Sequence, residues 1–213
     1  MQKVIIFDMD GTLIDSQHDI TVSVNHVRKE HYGLEPLTNA YVVEAINRYQ
    51  RNLAYLFYET QTYEKHAMEA FEAHYHEQCT QNVYLYKCVR EMLHFLNKNG
   101  FLLSVATNAP STFARRMLGE LNVDHLFDHI VGADMVEVPK PDKEMLSRIL
   151  DAYGFAYGRD KAWMVGDNSK DIEAARNASI TAVFAAWGFS SEGEGDHFAK
   201  HPERLLEIVA SSS

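Results

Sequence analysis

Cysteine is scarce in this chain, with only Cys79 and Cys88 among 213 residues. Their number and spacing exclude a disulfide framework and an ordinary zinc site. Both lie in helical-looking sequence and read as buried free thiols of a reducing compartment. No apolar run approaches the roughly 20 residues that span a bilayer. The start, one lysine and then a short strand-like run, is too short for a signal peptide, so a cytoplasmic protein is expected. Basic residues are outnumbered, 20 Lys and Arg against 30 Asp and Glu, for a net charge of −10. That balance argues against nucleic acid or an anionic membrane as a partner. Internal repeats are also absent. What remains is an ordinary globular composition, 46% hydrophobic and 23% charged, able to bury about 70% of its unfolded surface in one core plus a small subdomain.

The most informative segment is Asp8-Met9-Asp10-Gly11-Thr12, directly after the apolar run Val4-Ile5-Ile6-Phe7. The run reads as a buried strand ended by Asp and Gly. Ligands in open α/β sheets bind at that strand edge. Alternation puts Asp8 and Asp10 on one side and turns Met9 away. Two carboxylates so close repel, so they require a cation between them or a proton on one. The arrangement suits a metal-assisted reaction with one acid as nucleophile and the other exchanging a proton. The plainer alternative is an acidic turn after a strand.

Three further signals follow in order, each after an apolar run. Leu102-Leu103-Ser104-Val105-Ala106 leads into Thr107-Asn108. Ile130-Val131-Gly132-Ala133-Asp134 precedes Val138-Pro139-Lys140-Pro141. Ala162-Trp163-Met164-Val165 leads into Gly166-Asp167-Asn168-Ser169-Lys170-Asp171. With these four motifs in order over nearly its whole length, the chain resembles the haloacid dehalogenase-like hydrolases. The branch it resembles contains phosphoglycolate phosphatases and β-phosphoglucomutases.

From Leu13-Ile14 to about Tyr84 the periodicity is helical: Ile20, Val24 and Val27, then Leu53 and Phe57, then Met68, Phe71 and Tyr75. Gly33 and Pro36 separate the first helix from the next. The resemblance implies that residues 15–85 are an all-α helical cap inserted over the active site. Residues 1–14 and 86–213 would then form the catalytic core. From Val89 onward, helical and strand patterns alternate, with a helix stop at Asn99-Gly100, a strand ending near Asp134 and a strand at Thr181–Ala185. Such alternation predicts an α/β, Rossmann-like parallel sheet with helices on both faces. Residues 190–195 read as a polar loop, Pro202 opens a last helix, and the tail Ser211-Ser212-Ser213 is expected to be disordered.

The resemblance implies a role for each motif residue. Asp8 is the nucleophile that forms an aspartyl-phosphate. Asp10 is the general acid and base. It is missing from the family's dehalogenases, so its presence favours phosphate chemistry. Asp8 and Asp167, with the backbone carbonyl of Asp10, would hold Mg²⁺, the cation that hard oxygens and phosphate suit. Asp171, one helical turn beyond Asp167, would act from behind or through a metal-bound water. Alternatively, Asn168 caps the helix and Asp171 merely favours its first turn. Thr107 and Asn108, at a strand-to-helix turn whose first helical turn includes Pro110, offer a hydroxyl and free backbone N–H groups to phosphate oxygens. Lys140, restrained between two prolines, would neutralise the nucleophile and the transferring group. An acidic protein repels a phosphate, so this site must be locally positive through cation, lysine and helix N-termini.

Some residues depart from the family pattern. Lys143 replaces a common proline, Ser179 replaces a usual glycine, and Tyr86-Lys87-Cys88 stands where relatives often have Pro-Gly. In the cap, Arg48 and Arg51 of Asn47-Arg48-Tyr49-Gln50-Arg51-Asn52 lie near a loop that touches substrate in relatives. They are candidates to bind an anionic substrate, or simply a solvated helix face. His74 and His76, two apart, do not share a helical face and are expected to be solvated. The expected protein is a Mg²⁺-dependent phosphatase of a small phosphorylated metabolite, phosphoglycolate-like or a sugar phosphate, and a monomer or weak homodimer. Alternatives are a mutase, a pyrophosphatase, a phosphonatase using Lys29 or Lys65, and a catalytically silent binding module.

Overall fold

A computed structural model describes residues 1–49 and 51–211. Gln50, in the arginine-bearing run of the cap, and Ser212 and Ser213 of the tail lie outside the described residues. The chain begins with β1 (Lys3–Phe7) and β2 (Ile14–Asp15). Four helices follow: α1 (Gln17–Tyr32), α2 (Asn39–Asn47), α3 (Leu53–Tyr58) and α4 (Lys65–Gln78). After β3 (Tyr84–Leu85) come α5 (Val89–Lys98), β4 (Leu102–Ala106), α6 (Ser111–Glu120), β5 (His129–Val131), α7 (Glu144–Ala152) and β6 (Lys161–Gly166). The chain closes with α8 (Ser169–Asn177), β7 (Thr181–Ala185), β8 (His197–Ala199) and α9 (Pro202–Ser211). Two compact units result, Met1–Asp15 with Leu85–Ser213, and Ser16–Tyr84.

The larger unit is built on a six-stranded sheet of order β5-β4-β1-β6-β7-β8, parallel throughout. Helices on both faces cover such a sheet, so its central strand is apolar on both sides. Val4, Ile5, Ile6 and Phe7 are accordingly all fully buried. Val4 and Ile6 join Ala162 and Met164 in a cluster with Met145 and Ile149 of α7 and Ile172 and Ala175 of α8. The alternate residues face the other way, where Phe7 meets Phe127 and Trp163 meets Phe101. From β1 the chain steps outward to β4 and β5, then returns to β6 on the opposite side. Successive crossovers diverge there and leave a crevice beyond the carboxyl ends of β1, β4 and β6.

The smaller unit is helical. Val24, Val27, Val42, Ala45, Phe57, Tyr58 and Ala67 form its core. Gly33 ends α1 in the left-handed region at φ 62°. Asp19 is buried in the first turn of α1 and accepts from Gln78 Nε2 and from the backbone and side-chain N–H groups of Asn82, each at 2.8 Å. Arg28, also buried, donates to the carbonyls of Glu35 and Phe57. Sequence periodicity misplaces Met68, which is exposed, while its neighbour Ala67 takes the buried position. His74 is not simply solvated. It is half-buried, stacks on His26 at 4.0 Å and bonds Ser23 Oγ at 2.9 Å. Burial, then the neighbouring His26, holds its imidazole below the ordinary value.

Other differences are local. Strand β5 stops at Val131, and Asp134 lies beyond it in a short turn, accepting from the backbone N–H and hydroxyl of Ser111 at 2.6 and 2.8 Å. Pro110 precedes α6 as its cap rather than lying within it. Cys79 is buried, whereas Cys88 is half-exposed and precedes α5 at φ 66°. Ser211 is the last residue of α9. No helix among the described residues is long and apolar enough to cross a membrane.

Candidate active site

Three strand ends deliver the polar groups of the crevice. After β1, Asp8 N–H still donates to Val165 O at 2.8 Å, so the nucleophile candidate is held by the sheet ladder. The chain then coils tightly. The Met9 carbonyl accepts from the N–H groups of Thr12, Leu13 and Ile14 at 2.9–3.2 Å, with Met9 buried. Asp8 is buried and Asp10 half-exposed. After β6, Asp167 is buried, and Asn168 caps α8 in a reciprocal capping box with Asp171. Gly166 permits this turn, because a Cβ there would lie 2.3–2.4 Å from atoms of the Asp171 side chain.

Asp171 serves the helix start and also reaches the lysine. One oxygen accepts the Asn168 N–H at 3.1 Å, fixing the start of α8. The other accepts from Lys140 Nζ at 2.7 Å. Lys140 is only 3% exposed, and all three donors of its ammonium are engaged. They go to Asp8 Oδ1 at 2.7 Å, Asp171 Oδ1 at 2.7 Å and Ala106 O at 2.6 Å. Burying a lone ammonium is very costly, so this lysine is sustained only by the carboxylates it joins. They in turn hold its pKa above the ordinary lysine value despite burial.

Two carboxylates meet that one ammonium, and a third lies beside them. Oxygens of Asp8, Asp167 and Asp171 lie within 4.8 Å of one another. Burial, opposed by Lys140 and assisted by Asp171, pushes Asp8 up to about 7. Burial, then Asp8 and Asp171, raises Asp167 well above its ordinary value. Oδ1 of Asp167 accepts from the Thr12 hydroxyl at 3.3 Å, while its Oδ2 is buried and accepts nothing. A buried carboxylate oxygen without a donor demands an explanation. A hard divalent cation seated among these oxygens supplies one and removes the repulsion. The residues present therefore fit a metal.

The β4 turn completes the cluster. Thr107 is buried, and its Oγ1 accepts the Ala109 N–H at 3.0 Å. The Asn108 side chain is turned onto the Lys140 backbone. Its Nδ2 donates to Lys140 O at 2.9 Å, and its Oδ1 accepts Lys140 N–H at 3.0 Å. Sequence reading missed Trp187, whose Nε1 donates to Thr12 O at 2.8 Å. Beside it, a Cβ on Gly188 would fall 1.4 Å from Gly11 O, so only glycine allows this loop to lie on the Asp8–Thr12 turn. Two glycines and a tryptophan after a strand carry no local signal of that contact.

Arg48 and Arg51 belong to the helical unit. Arg48 follows α2 and pairs with Glu44 at 2.7 Å on an exposed surface. Arg51 is half-buried. Among the described residues it has no hydrogen-bond or ion-pair partner, and burial alone lowers its guanidinium pKa.

A parallel sheet with acids at the ends of β1 and β6, a hydroxyl after β4 and one buried lysine between them defines a hydrolase class. The sequence model described as haloacid dehalogenase-like hydrolase matches residues 5–185, and the chain belongs to that family. It is 33% identical over 187 residues to the phosphoglycolate phosphatase of Aquifex aeolicus, covering 88% of this chain and 86% of that one. It is 30% identical over 221 residues to the phosphoglycolate phosphatase of Aliivibrio fischeri, covering 98% and 96%. The fold matches that of a "predicted phosphoglycolate phosphatase" from Haemophilus somnus with a TM-score of 0.85 over 98% of both chains, at 24% identity.

Proposed function

We propose that this protein is a Mg²⁺-dependent phosphatase that hydrolyses a small phosphorylated metabolite, phosphoglycolate-like or a sugar phosphate, through an aspartyl-phosphate. The carrying observation is the Lys140 ammonium, 2.7 Å from both Asp8 and Asp171. Lys140 takes Oδ1 of Asp8, so the other oxygen is the one to attack phosphorus. As that Asp8 O–P bond forms, the bond from phosphorus to the ester oxygen breaks, and Asp10 gives its proton to the departing oxygen. Asp10 then takes a proton from water, whose oxygen bonds phosphorus while the Asp8–phosphorus link opens. The Thr107 hydroxyl and the Asn108 N–H hold the phosphoryl oxygens, and the Lys140 charge beside Asp8 offsets their negative charge. Asp8, Asp167 and the Asp10 carbonyl would hold Mg²⁺, with Asp171 behind them; the cation supplies charge neutralisation and polarises the phosphoryl group. The helical unit serves as the cap that selects substrate. Cys79 and Cys88 form no disulfide, which fits a reducing, cytoplasmic setting.

A phosphonatase reading needs a desolvated lysine to form a Schiff base. Lys29 and Lys65 are instead exposed and face Glu30 and Glu69. The deciding experiment traps the intermediate. Asp10→Asn incubated with Mg²⁺ and a nitrophenyl phosphate should release a burst of phenol and gain one phosphoryl group on Asp8, read by intact mass and peptide mapping. Wild-type turnover with no phosphoenzyme in the variant, or phosphate on another residue, would refute the mechanism.

A further inference from the structure

The segment that carries Lys140 has an unusual shortage of backbone donors. Pro139 and Pro141 lack N–H groups, so Lys140 alone can donate from these three residues. No sheet ladder holds this stretch, which lies between β5 and α7. Its lone N–H goes to Asn108 Oδ1 at 3.0 Å, and the Lys140 carbonyl accepts from Asn108 Nδ2 at 2.9 Å. One planar amide thus pairs with both backbone polar groups of one residue across 32 residues of sequence. At the other end of the same side chain, Nζ donates to Ala106 O at 2.6 Å. Two residues at and just after the end of β4, Ala106 and Asn108, therefore hold both the tip and the root of Lys140. A lysine stem is flexible and samples many rotamers. Fixing both ends selects the rotamer that spans Asp8 and Asp171.

We propose that Asn108 is a positioning residue of the phosphatase site: its side-chain amide anchors the Lys140 backbone so that the ammonium reaches Asp8 and Asp171 together. This inference rests on the phosphatase reading above. It divides Asn108 between two tasks, because both amide functions are already engaged and only its backbone N–H remains for a phosphoryl oxygen. The amide also protects a buried pair of peptide groups that would otherwise lack partners. The neighbouring Pro141 carbonyl is held in the same manner by Asn177 Nδ2 at 3.0 Å, so side-chain amides replace the missing ladder along this stretch.

The test is a double-mutant cycle, which isolates action of one residue through another. Asn108→Ala is measured alone and combined with Lys140→Ala, with nitrophenyl phosphate and Mg²⁺. In the Lys140 background, Asn108→Ala should lower kcat by about 10- to 100-fold, the scale set by misplacing a catalytic group by about 1 Å. Vanadate inhibition should weaken in parallel. In the Lys140→Ala background the same change should alter neither quantity by more than about 3-fold. Mg²⁺ affinity, read by thermal shift, should stay close to wild type in Asn108→Ala, since Asp167 and its partners are untouched. Equal losses in both backgrounds would overturn the proposal by showing that Asn108 acts without Lys140. So would an undiminished kcat. If Asn108→Ala does not fold, Asn108→Asp, equal in size and retaining only the acceptor, carries the same cycle. A wild-type protein inert toward every phosphate ester would defeat the phosphatase reading itself, and this inference with it.

Discussion

Trp187 donates its indole N–H to the backbone carbonyl of Thr12 at 2.8 Å, joining residues 175 apart in sequence. The same Thr12 donates its hydroxyl to Asp167. The loop after β7 therefore steadies the turn after β1, and that turn orients an acid after β6. Partners behind a metal ligand typically change affinity about 10- to 100-fold. Thr12→Val should weaken Mg²⁺ binding by about that factor, and Trp187→Phe should do so to a lesser degree. Isothermal titration with Mg²⁺ measures both; unchanged affinity in Thr12→Val would remove that hydrogen bond from the account of the site.

The pH dependence of metal binding follows from the carboxylates. Burial raises Asp8 from 3.8 to about 7 and lifts Asp167 as well. Their folded-state pKa values lie above those of the unfolded chain. Their contribution to stability is thus full below the unfolded value near 4; that of Asp8 is lost as pH rises through about 7, and that of Asp167 as pH rises through its own raised value. Under the proposed function, Mg²⁺ would bind the ionised carboxylates and compete with those protons. The rise in melting temperature caused by saturating Mg²⁺ should accordingly be larger at about pH 8 than at about pH 5.5. Scanning calorimetry with and without Mg²⁺ at both pH values checks this, and equal shifts would contradict it.

The two cap arginines should behave differently. Arg48 has its charge met by Glu44 on an exposed surface, and such pairs are worth little. Arg51 is half-buried and meets no partner among the described residues. Arg51→Ala should lower kcat/KM for a carboxylate-bearing phosphate by about 10- to 100-fold, while Arg48→Ala changes it by no more than about 3-fold. Neither should much affect a nitrophenyl ester. Steady-state kinetics on the two substrates decides it, and equal effects of the two variants would refute the distinction.

Ser179 sits at φ 54°, a left-handed conformation that costs an L-residue about 1 kcal/mol or more. It is exposed, and the bond its N–H makes to Arg176 O does not need the side chain. Ser179→Gly should stabilise the protein by about 1 kcal/mol, or about 2–4 °C in melting temperature, with activity unchanged. A lower melting temperature would show that the hydroxyl or Cβ does more than the structure indicates.

Much of the core was legible because its signals are local. Val4–Phe7 and Leu102–Ala106 are uniformly apolar runs, and central parallel strands require that. Asn168 and Asp171 were readable as a helix start because capping operates over three residues. Met68 was misjudged because helical periodicity gives a stripe but not its edges. His74 was misjudged because the residues it meets, Ser23 and His26, lie on another helix. Strand β8 gave no sequence signal because it is a three-residue edge strand with Phe198 exposed.

By itself the sequence determined the alternation of strand and helix, the motif order and the identity of the acids, all encoded in neighbouring residues. Tertiary structure alone decided what those groups do to one another. It placed Asp8, Lys140, Asp167 and Asp171 together at the point where the crossovers diverge. It left one oxygen of Asp167 without a donor, and it turned the Asn108 amide onto the Lys140 backbone. Local pattern fixes which face of a strand or helix is apolar. Contacts across 32, 132 or 155 residues depend on how the sheet orders its strands, and no short window of sequence contains that information.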